Sequence, residues 1–256
     1  VILEEGPETI AAFIGEPLMA AGGVMPPPQG YWPGIEALCR KYDILLVSDE
    51  VITGFGRLGS PFGAIHYGFK PDVMVLSKQL TSSYVPLAAV LFTDSIYSVV
   101  ADNTAKIGTF GHGFTTSGHP LATAVALENL KIFEERDLMG NAARMGVIMQ
   151  RELQQFASHP LVGEVRGAGM IAGVELVADK ATRKPFAPQL KVGPRAFALG
   201  HQHGLIVRAI GDTLALCPPL IINEAQVHEV VDRLRKTLDA TSAALAADGH
   251  AEKRYA

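Results

Sequence analysis

Short apolar runs separated by amphipathic stretches dominate the first half of the chain. Ala11-Ala12-Phe13-Ile14-Gly15-Glu16-Pro17 has the length of a strand and stops at a proline. Residues 22–30 are rich in glycine and proline and read as loop. Over 31–42, Ile35, Leu38, Cys39 and Tyr42 recur at helical spacing. Ile44-Leu45-Leu46-Val47 and Val73-Met74-Val75-Leu76 are continuous apolar runs of the kind found in parallel strands buried on both faces. Residues 86–92, with Leu87, Val90 and Leu91, make a third. Strands alternating with helices predict βαβ units and a mostly parallel sheet. The right-handed crossover rule then places helices on both of its faces. Residues 118–136 predict a long helix with Leu121, Val125, Leu130 and Phe133 apolar, and 138–156 predict a second.

The pattern breaks around residues 137–140, where a domain boundary is expected. Beyond it, 162–166 and 170–177 alternate like half-buried strands, and 192–203 reads as a helix. Short strands are expected at 205–208 and 213–216. An amphipathic helix is expected over 225–245, with Val227, Val230, Val231, Leu234 and Leu238 on its apolar face. The fold class read from the pattern is α/β, with a partial large domain over 1–137 and a smaller C-terminal α+β domain over 138–256. Residues from Ala246 onward are small or charged and are expected to fray.

Composition narrows the function classes. With 48% hydrophobic and 19% charged residues, the 256-residue chain has the makings of a core and is not disordered. A formal net charge of −4 implies no basic face, which argues against nucleic acid or an anionic membrane as partner. No run of roughly 18 apolar residues predicts a transmembrane helix. Cys39 and Cys217 fit no CxxC spacing and read as free thiols in a reducing compartment, the cytoplasm. The first residues lack the pattern of a signal peptide.

Several motifs have bland readings that win. Gly54-Phe55-Gly56-Arg57-Leu58-Gly59 matches GxGxxG after a strand, but Ser60-Pro61-Phe62-Gly63 continues as loop where a dinucleotide site requires a helix. Gly167-Ala168-Gly169 fits a turn between strands better. His201 and His203 are two apart on an expected helix and face different ways, and His112 and His119 lack a third ligand nearby, so no metal site is expected. No serine sits in a GxSxG elbow.

Two positions keep a chemical reading. Asp49 directly follows the run 44–47, and a carboxylate at the end of a parallel strand faces the crevice where α/β ligands bind. A helix cap or a salt bridge would explain it equally well. Lys78 follows the run 73–77. An amine at a buried strand end needs a partner or loses its charge, and a neutral amine suits Schiff-base chemistry. A solvated surface lysine is its bland alternative. Together, an acid and a lysine at two strand ends match the needs of pyridoxal 5'-phosphate: an anchoring amine and an acid for the pyridine nitrogen.

With these residues the sequence resembles the class III aminotransferases of the fold type I superfamily. The shared motifs run in order: Gly15-Glu16-Pro17; Asp49-Glu50-Val51 with residues 54–59; Pro71-Asp72; Ser77-Lys78-Gln79-Leu80 with Tyr84-Val85-Pro86; Thr115-Thr116-Ser117-Gly118-His119-Pro120; and Arg166-Gly167-Ala168-Gly169-Met170. Gly111-His112-Gly113-Phe114-Thr115 and Leu205-Ile206-Val207-Arg208-Ala209-Ile210-Gly211-Asp212 are most similar to the ω- or amine:pyruvate branch. The resemblance implies a ping-pong, Schiff-base transfer of an amino group from an amine or ω-amino acid to a small keto acid such as pyruvate. Lys78 would be the covalent anchor and proton carrier, Asp49 the partner of the pyridine nitrogen, and Val51 a cover on one ring face. Thr115, with the amides entering the helix after Gly118, would bind the phosphate of a neighbouring protomer's cofactor, in a homodimer or tetramer with the site at the interface. Arg208 would grip the keto-acid carboxylate.

The ornithine and GABA branches usually carry a Glu and an Arg at positions matching Ala21 and Ala215; the loss of both here argues against those branches and agrees with Arg208 as the carboxylate anchor. Family members also carry roughly 200 residues ahead of this stretch, by ordinary domain sizes. The resemblance therefore covers a C-terminal part, to be completed by an N-terminal segment. Related chemistries, an aminomutase or a dialkylglycine decarboxylase, and a silent fragment that binds a partner segment are the alternatives.

Overall fold

The structure, a computed structural model, describes residues 1–249. Its first sheet is ordered β1 (Ala12–Gly15), β2 (Leu45–Asp49), β3 (Val73–Leu76), β4 (Ala89–Phe92). β1 and β3 both pair parallel to β2, while β4 pairs antiparallel to β3. The sheet is mostly parallel, as the apolar runs predicted, but the third run turns back. Residues 77–88 hold one 3-10 turn, Lys78–Leu80, and no crossover helix, so the chain returns beside β3 in the opposite direction.

Alternation along the paired strands sorts the side chains onto two faces. One carries Phe13, Leu46 and Ser48. Leu46 is fully buried there, in a cluster with Trp32, Cys39, Ile44, Ala64 and Phe69. The Trp32 and Phe69 rings stack with centroids 4.3 Å apart, and Trp32 Nε1 donates to the Pro17 carbonyl at 2.9 Å. Helix α2 (Tyr31–Lys41) delivers Trp32 and Cys39, two turns apart, and leaves Leu38 exposed. The other face carries Ile14, Leu45, Val47 and Asp49 of β1 and β2, and Val90 and Phe92 of β4. Ile14, Leu45, Val90 and Phe92 are all exposed, and so is Leu91 of the other face, while Val73 and Val75 are half-buried, so the runs predicted to be buried on both sides are only partly covered in this chain.

The first half also holds α1 (Ile2–Glu5), α3 (Gly63–Tyr67), α4 (Asp94–Ile107) and α5 (Pro120–Glu135). Helix α4 had no counterpart in the periodicity and buries none of its residues. Helix α5 lies where one was expected and buries Phe133 as expected, but Val125 and Leu130 are only half-buried and the rest of its inner face differs. Ala122, Ala126, Asn129 and Phe133 are buried, whereas Leu121 is 61% exposed.

Contacts divide the chain into two units. The first comprises 1–17, 27–56 and 60–138, and the second comprises 18–26, 57–59 and the chain from Met139 onward. The second unit builds on α6 (Leu138–Leu153) and an antiparallel sheet ordered β5 (Val162–Ala168), β6 (Ile171–Leu176), β8 (Thr213–Leu216), β7 (Arg208–Ile210). A two-residue turn, Gly169-Met170, joins β5 to β6. Gly169 has φ +52°, and a Cβ there would lie 2.5 Å from the Leu58 Cα, so glycine is required. Helix α7 (Val192–Gln202) ends by accepting the Leu205 amide at the Gly200 carbonyl. That bond takes residue 205 out of the ladder, and the strand expected at 205–208 begins at Arg208 instead. Helix α8 (Glu224–Ala247) starts at an Asn223/Gln226 capping box and buries Val227, Val231, Leu234 and Leu238. It continues through Ala246, where fraying was expected; the rest of the predicted frayed terminus, 250–256, lies outside the described residues.

One buried side-chain polar atom among the described residues lacks a hydrogen-bond partner, the Tyr67 hydroxyl at the end of α3. Burial pushes its pKa up to about 12. Replacing an unsatisfied hydroxyl with hydrogen removes a desolvation cost of about 1 kcal/mol. The Tyr67→Phe chain is therefore expected to unfold at an equal or higher denaturant midpoint, and a clear drop would show that the hydroxyl is bonded in solution.

Candidate active site

Asp49 ends β2 in register with Val75 of β3, and the Glu50 amide closes the ladder on the Val75 carbonyl at 3.0 Å. Lys78 follows β3 by two residues. Parallel strands share a direction, so both side chains leave from one edge of the sheet, the carboxyl edge where α/β folds bind ligands. Asp49 Oδ1 accepts from the Val51 amide at 3.1 Å. Asp49 Oδ2 and Lys78 Nζ have no hydrogen bond or ion pair among the described residues. Val51, two residues after Asp49, is half-buried. Lys78 itself is exposed, not buried as the preceding apolar run suggested; it stands beyond the end of β3, in a turn.

The turn after Asp49 is built around Glu50, which is fully buried. Its carboxylate accepts from the Gly63 and Ala64 amides, each at 2.7 Å, from Thr53 Oγ1 at 2.5 Å and from Ser48 Oγ at 3.2 Å. A buried carboxylate is tolerated when its lone pairs are filled in this way. The sequence displayed Glu50 only as part of a motif. Its donors lie up to 14 residues away, beyond the reach of local pattern.

Residues 54–59 form a turn, with Phe55 in the left-handed region at φ +56°. Helix α3 starts only at Gly63, so the segment lacks the strand-to-helix geometry of a dinucleotide site. Arg57 is buried in the second unit and donates to the carbonyls of Met170 at 3.2 Å and Pro218 at 2.6 Å. Burial pulls its guanidinium below the ordinary value, against a smaller opposing effect of Cys217. Among the described residues no group of three or more His, Cys, Asp and Glu could hold a metal ion.

The Lys78 turn is conformationally unusual. Lys78, Ser82 and Ser83 are non-glycine residues at φ +41°, +47° and +62°. Asn129 of α5 spans the turn. Its Nδ2 donates to the carbonyls of Gln79 at 2.7 Å and Leu80 at 3.2 Å, and its Oδ1 accepts from Ser82 Oγ at 2.7 Å. Sequence reading passed over Asn129. The available signal was a lone amide in register with Ala122 and Ala126.

Thr115 is exposed in the turn before α5. The helix start offers fewer donors to an anion than expected, because Pro120 has no N–H and the Leu121 amide is taken by His119 Nδ1 at 3.2 Å. In the second unit, Arg208 is exposed at the head of the edge strand β7. Its cross-strand partner is Ala215, which in turn pairs with Gly173, opposite Arg166. Two arginines thus flank two small residues across one sheet. Arg166 is committed: it binds Glu164 at 3.1 Å, Glu175, and the carbonyls of Gly23 and Val24. That holds residues 18–26, with Ala21, to the second unit. Arg208 has no hydrogen bond or ion pair among the described residues.

The family pattern described as aminotransferase class-III matches residues 1–238. The chain belongs to the class-III aminotransferases. Among curated relatives of this aminotransferase chain, diaminobutyrate–2-oxoglutarate transaminase of Halomonas elongata is 47% identical over 97% of the chain and 54% of its own length. Putrescine–pyruvate aminotransferase of Pseudomonas aeruginosa is 47% identical over 96% and 53%. Relatives from rice and tomato at 45% and 44% identity carry the name gamma-aminobutyrate transaminase. A solved ω-transaminase of Pseudomonas jessenii, in complex with PMP, superposes with a TM-score of 0.93 at 54% identity, covering 96% of this chain and 54% of that one. The chain therefore spans about half the length of the relatives it matches.

Glu50→Gln puts an amide N–H against backbone N–H groups that now meet a carboxylate. It is expected to lower stability by about 2 kcal/mol or more, read as a lower urea midpoint. An unchanged midpoint would mean that the Glu50 cage is not holding this turn.

Proposed function

We propose that the chain carries active-site residues of a transaminase. The enzyme would move an amino group from an amine or ω-amino acid to a small keto acid such as pyruvate, with pyridoxal 5'-phosphate as cofactor. The observation that supports this reading is the pair formed by Asp49 and Lys78 at the carboxyl ends of two paired parallel strands. The donor set suits the cofactor: a carboxylate with one oxygen free, an unpaired amine on the neighbouring strand end, and an aliphatic side chain, Val51, two residues from the acid.

Bound there, pyridoxal phosphate would supply an aldehyde carbon and a ring able to take up the electron pair of a broken Cα–H bond. Lys78 Nζ would hold it covalently and, once displaced by the donor amine, would carry the proton taken from the donor's Cα. Asp49 Oδ2 would hold the proton on the ring nitrogen, and Val51 would keep water off one ring face. Thr115 Oγ1 would donate to the phosphate group held by a second copy, in a homodimer or tetramer. Arg208 would bind both oxygens of the keto-acid carboxylate, and Ala215 beside it leaves the guanidinium without a competing side chain. Relatives are named for diaminobutyrate, putrescine and gamma-aminobutyrate alike, so both amines and ω-amino acids stay within this reading as donors. No described helix is long and apolar enough to cross a membrane, and Cys39 and Cys217 are unpaired. A thiol-reducing compartment, the cytoplasm, is part of this reading.

A second reading is favoured by the exposed apolar face of Ile14, Leu45, Val90 and Phe92. In it the chain holds these residues but turns over only when a further segment covers that face. Borohydride reduction of the chain with cofactor, followed by peptide mass mapping, is the test. One reduced cofactor on Lys78 is expected, and labelling elsewhere with Lys78 untouched would sink the proposal. Labelling without turnover would select the second reading. In an active preparation Lys78→Ala is expected to abolish turnover. Arg208→Ala is expected to raise KM for pyruvate roughly tenfold or more while leaving KM for a carboxylate-free amine within roughly twofold. Equal effects on both substrates would remove Arg208 from the carboxylate.

A further inference from the structure

We propose that Asn129 is a positioning residue, whose carboxamide fixes the left-handed turn that presents Lys78 and so sets how Nζ meets a bound aldehyde. The inference rests on Lys78 being the covalent anchor and extends it to a residue on another element, 51 positions away.

Three observations converge on it. First, Asn129 occupies the inner stripe of α5 between Ala126 and Phe133. A buried carboxamide at an apolar position is costly unless its donors and acceptor are filled, and all three are filled by the Lys78 turn itself. Secondly, the two carbonyls it holds belong to Gln79 and Leu80, the residues immediately after Lys78. Gln79 O also accepts the Ser82 amide at 3.2 Å, so the carboxamide fastens a turn already closed on itself. Thirdly, left-handed residues other than glycine persist only where their surroundings over-determine them, and three lie within six positions here. An apolar residue at 129 would fill the same space but would grip no carbonyl. Helix α5 gains nothing from asparagine as a helix former.

Asn129→Asp keeps the shape and the acceptor for Ser82 but removes both donors. Ser82→Ala removes only the third bond. Leu127→Ala, at an exposed position on α5, serves as control. For each chain, pyridoxal phosphate is added and the rate of borohydride-trapped label on Lys78 is followed by peptide mass. The pH midpoint of the bound cofactor's absorbance and the thermal midpoint without cofactor are also read. Asn129→Asp is expected to slow labelling roughly tenfold or more and to move the pH midpoint by roughly half a unit or more. Ser82→Ala should shift both in the same direction by less, and Leu127→Ala should change neither. A lowered thermal midpoint with unchanged labelling and pH midpoint would make Asn129 a packing residue and overturn the inference. Should Asn129→Asp not fold, Ser82→Ala decides, and wild-type behaviour in it overturns the inference. Absence of label on Lys78 in the wild-type chain would overturn the anchor reading and this inference together.

Discussion

Because β2 and β3 run in the same direction and pair from Val47 opposite Val73 to Asp49 opposite Val75, whatever follows each strand emerges at one edge of the sheet. An antiparallel pairing would have sent Asp49 and the Lys78 turn to opposite ends. Everything near the candidate site serves to keep that edge defined. The Glu50 amide takes the last ladder bond, and its carboxylate gathers the start of α3 beneath the turn.

Charged groups in this protein fall into two sets by their partners. Glu50 and Arg57 are buried and Arg166 is half-buried, and each spends its charge on hydrogen bonds to other segments of the chain. Asp49 Oδ2, Lys78 Nζ and Arg208 are left open. The first set makes scaffold, since a charge taken out of water is tolerated only where it is hydrogen-bonded. The second keeps bonding capacity for something outside the chain. The left-handed Lys78 turn belongs between the two: conformationally expensive, held by the neutral amide of Asn129, and ending in a free amine.

The apolar content of the sheet exceeds what this chain covers. The face with Leu46 is closed by Trp32 and Phe69, whereas that with Ile14 and Val90 stands open. The relatives are about twice as long, and the match to them extends along nearly all of this chain. Their names share the transfer of an amino group and differ in the amine.

How much was legible in the sequence depended on how local each cause was. The strands of the parallel pair, the Asp49 and Lys78 placements, the Gly169 turn and helix α8 follow from runs, periodicity and turn chemistry within a few residues. The same signals misplaced the inner face of α5, the direction of β4 and the start of β7, and they gave no sign of α4. Hydrophobic periodicity reports the repeat of an element and not its partner. Leu121 and Ala122 are equally compatible with a helix of that repeat, and the packed structure buries Ala122. The sequence by itself determined which residues could do chemistry and on which kind of element each would stand. Only the tertiary structure decided which groups are spent on the scaffold and which remain free, because that depends on hydrogen-bond partners brought together from 13 to 161 positions apart.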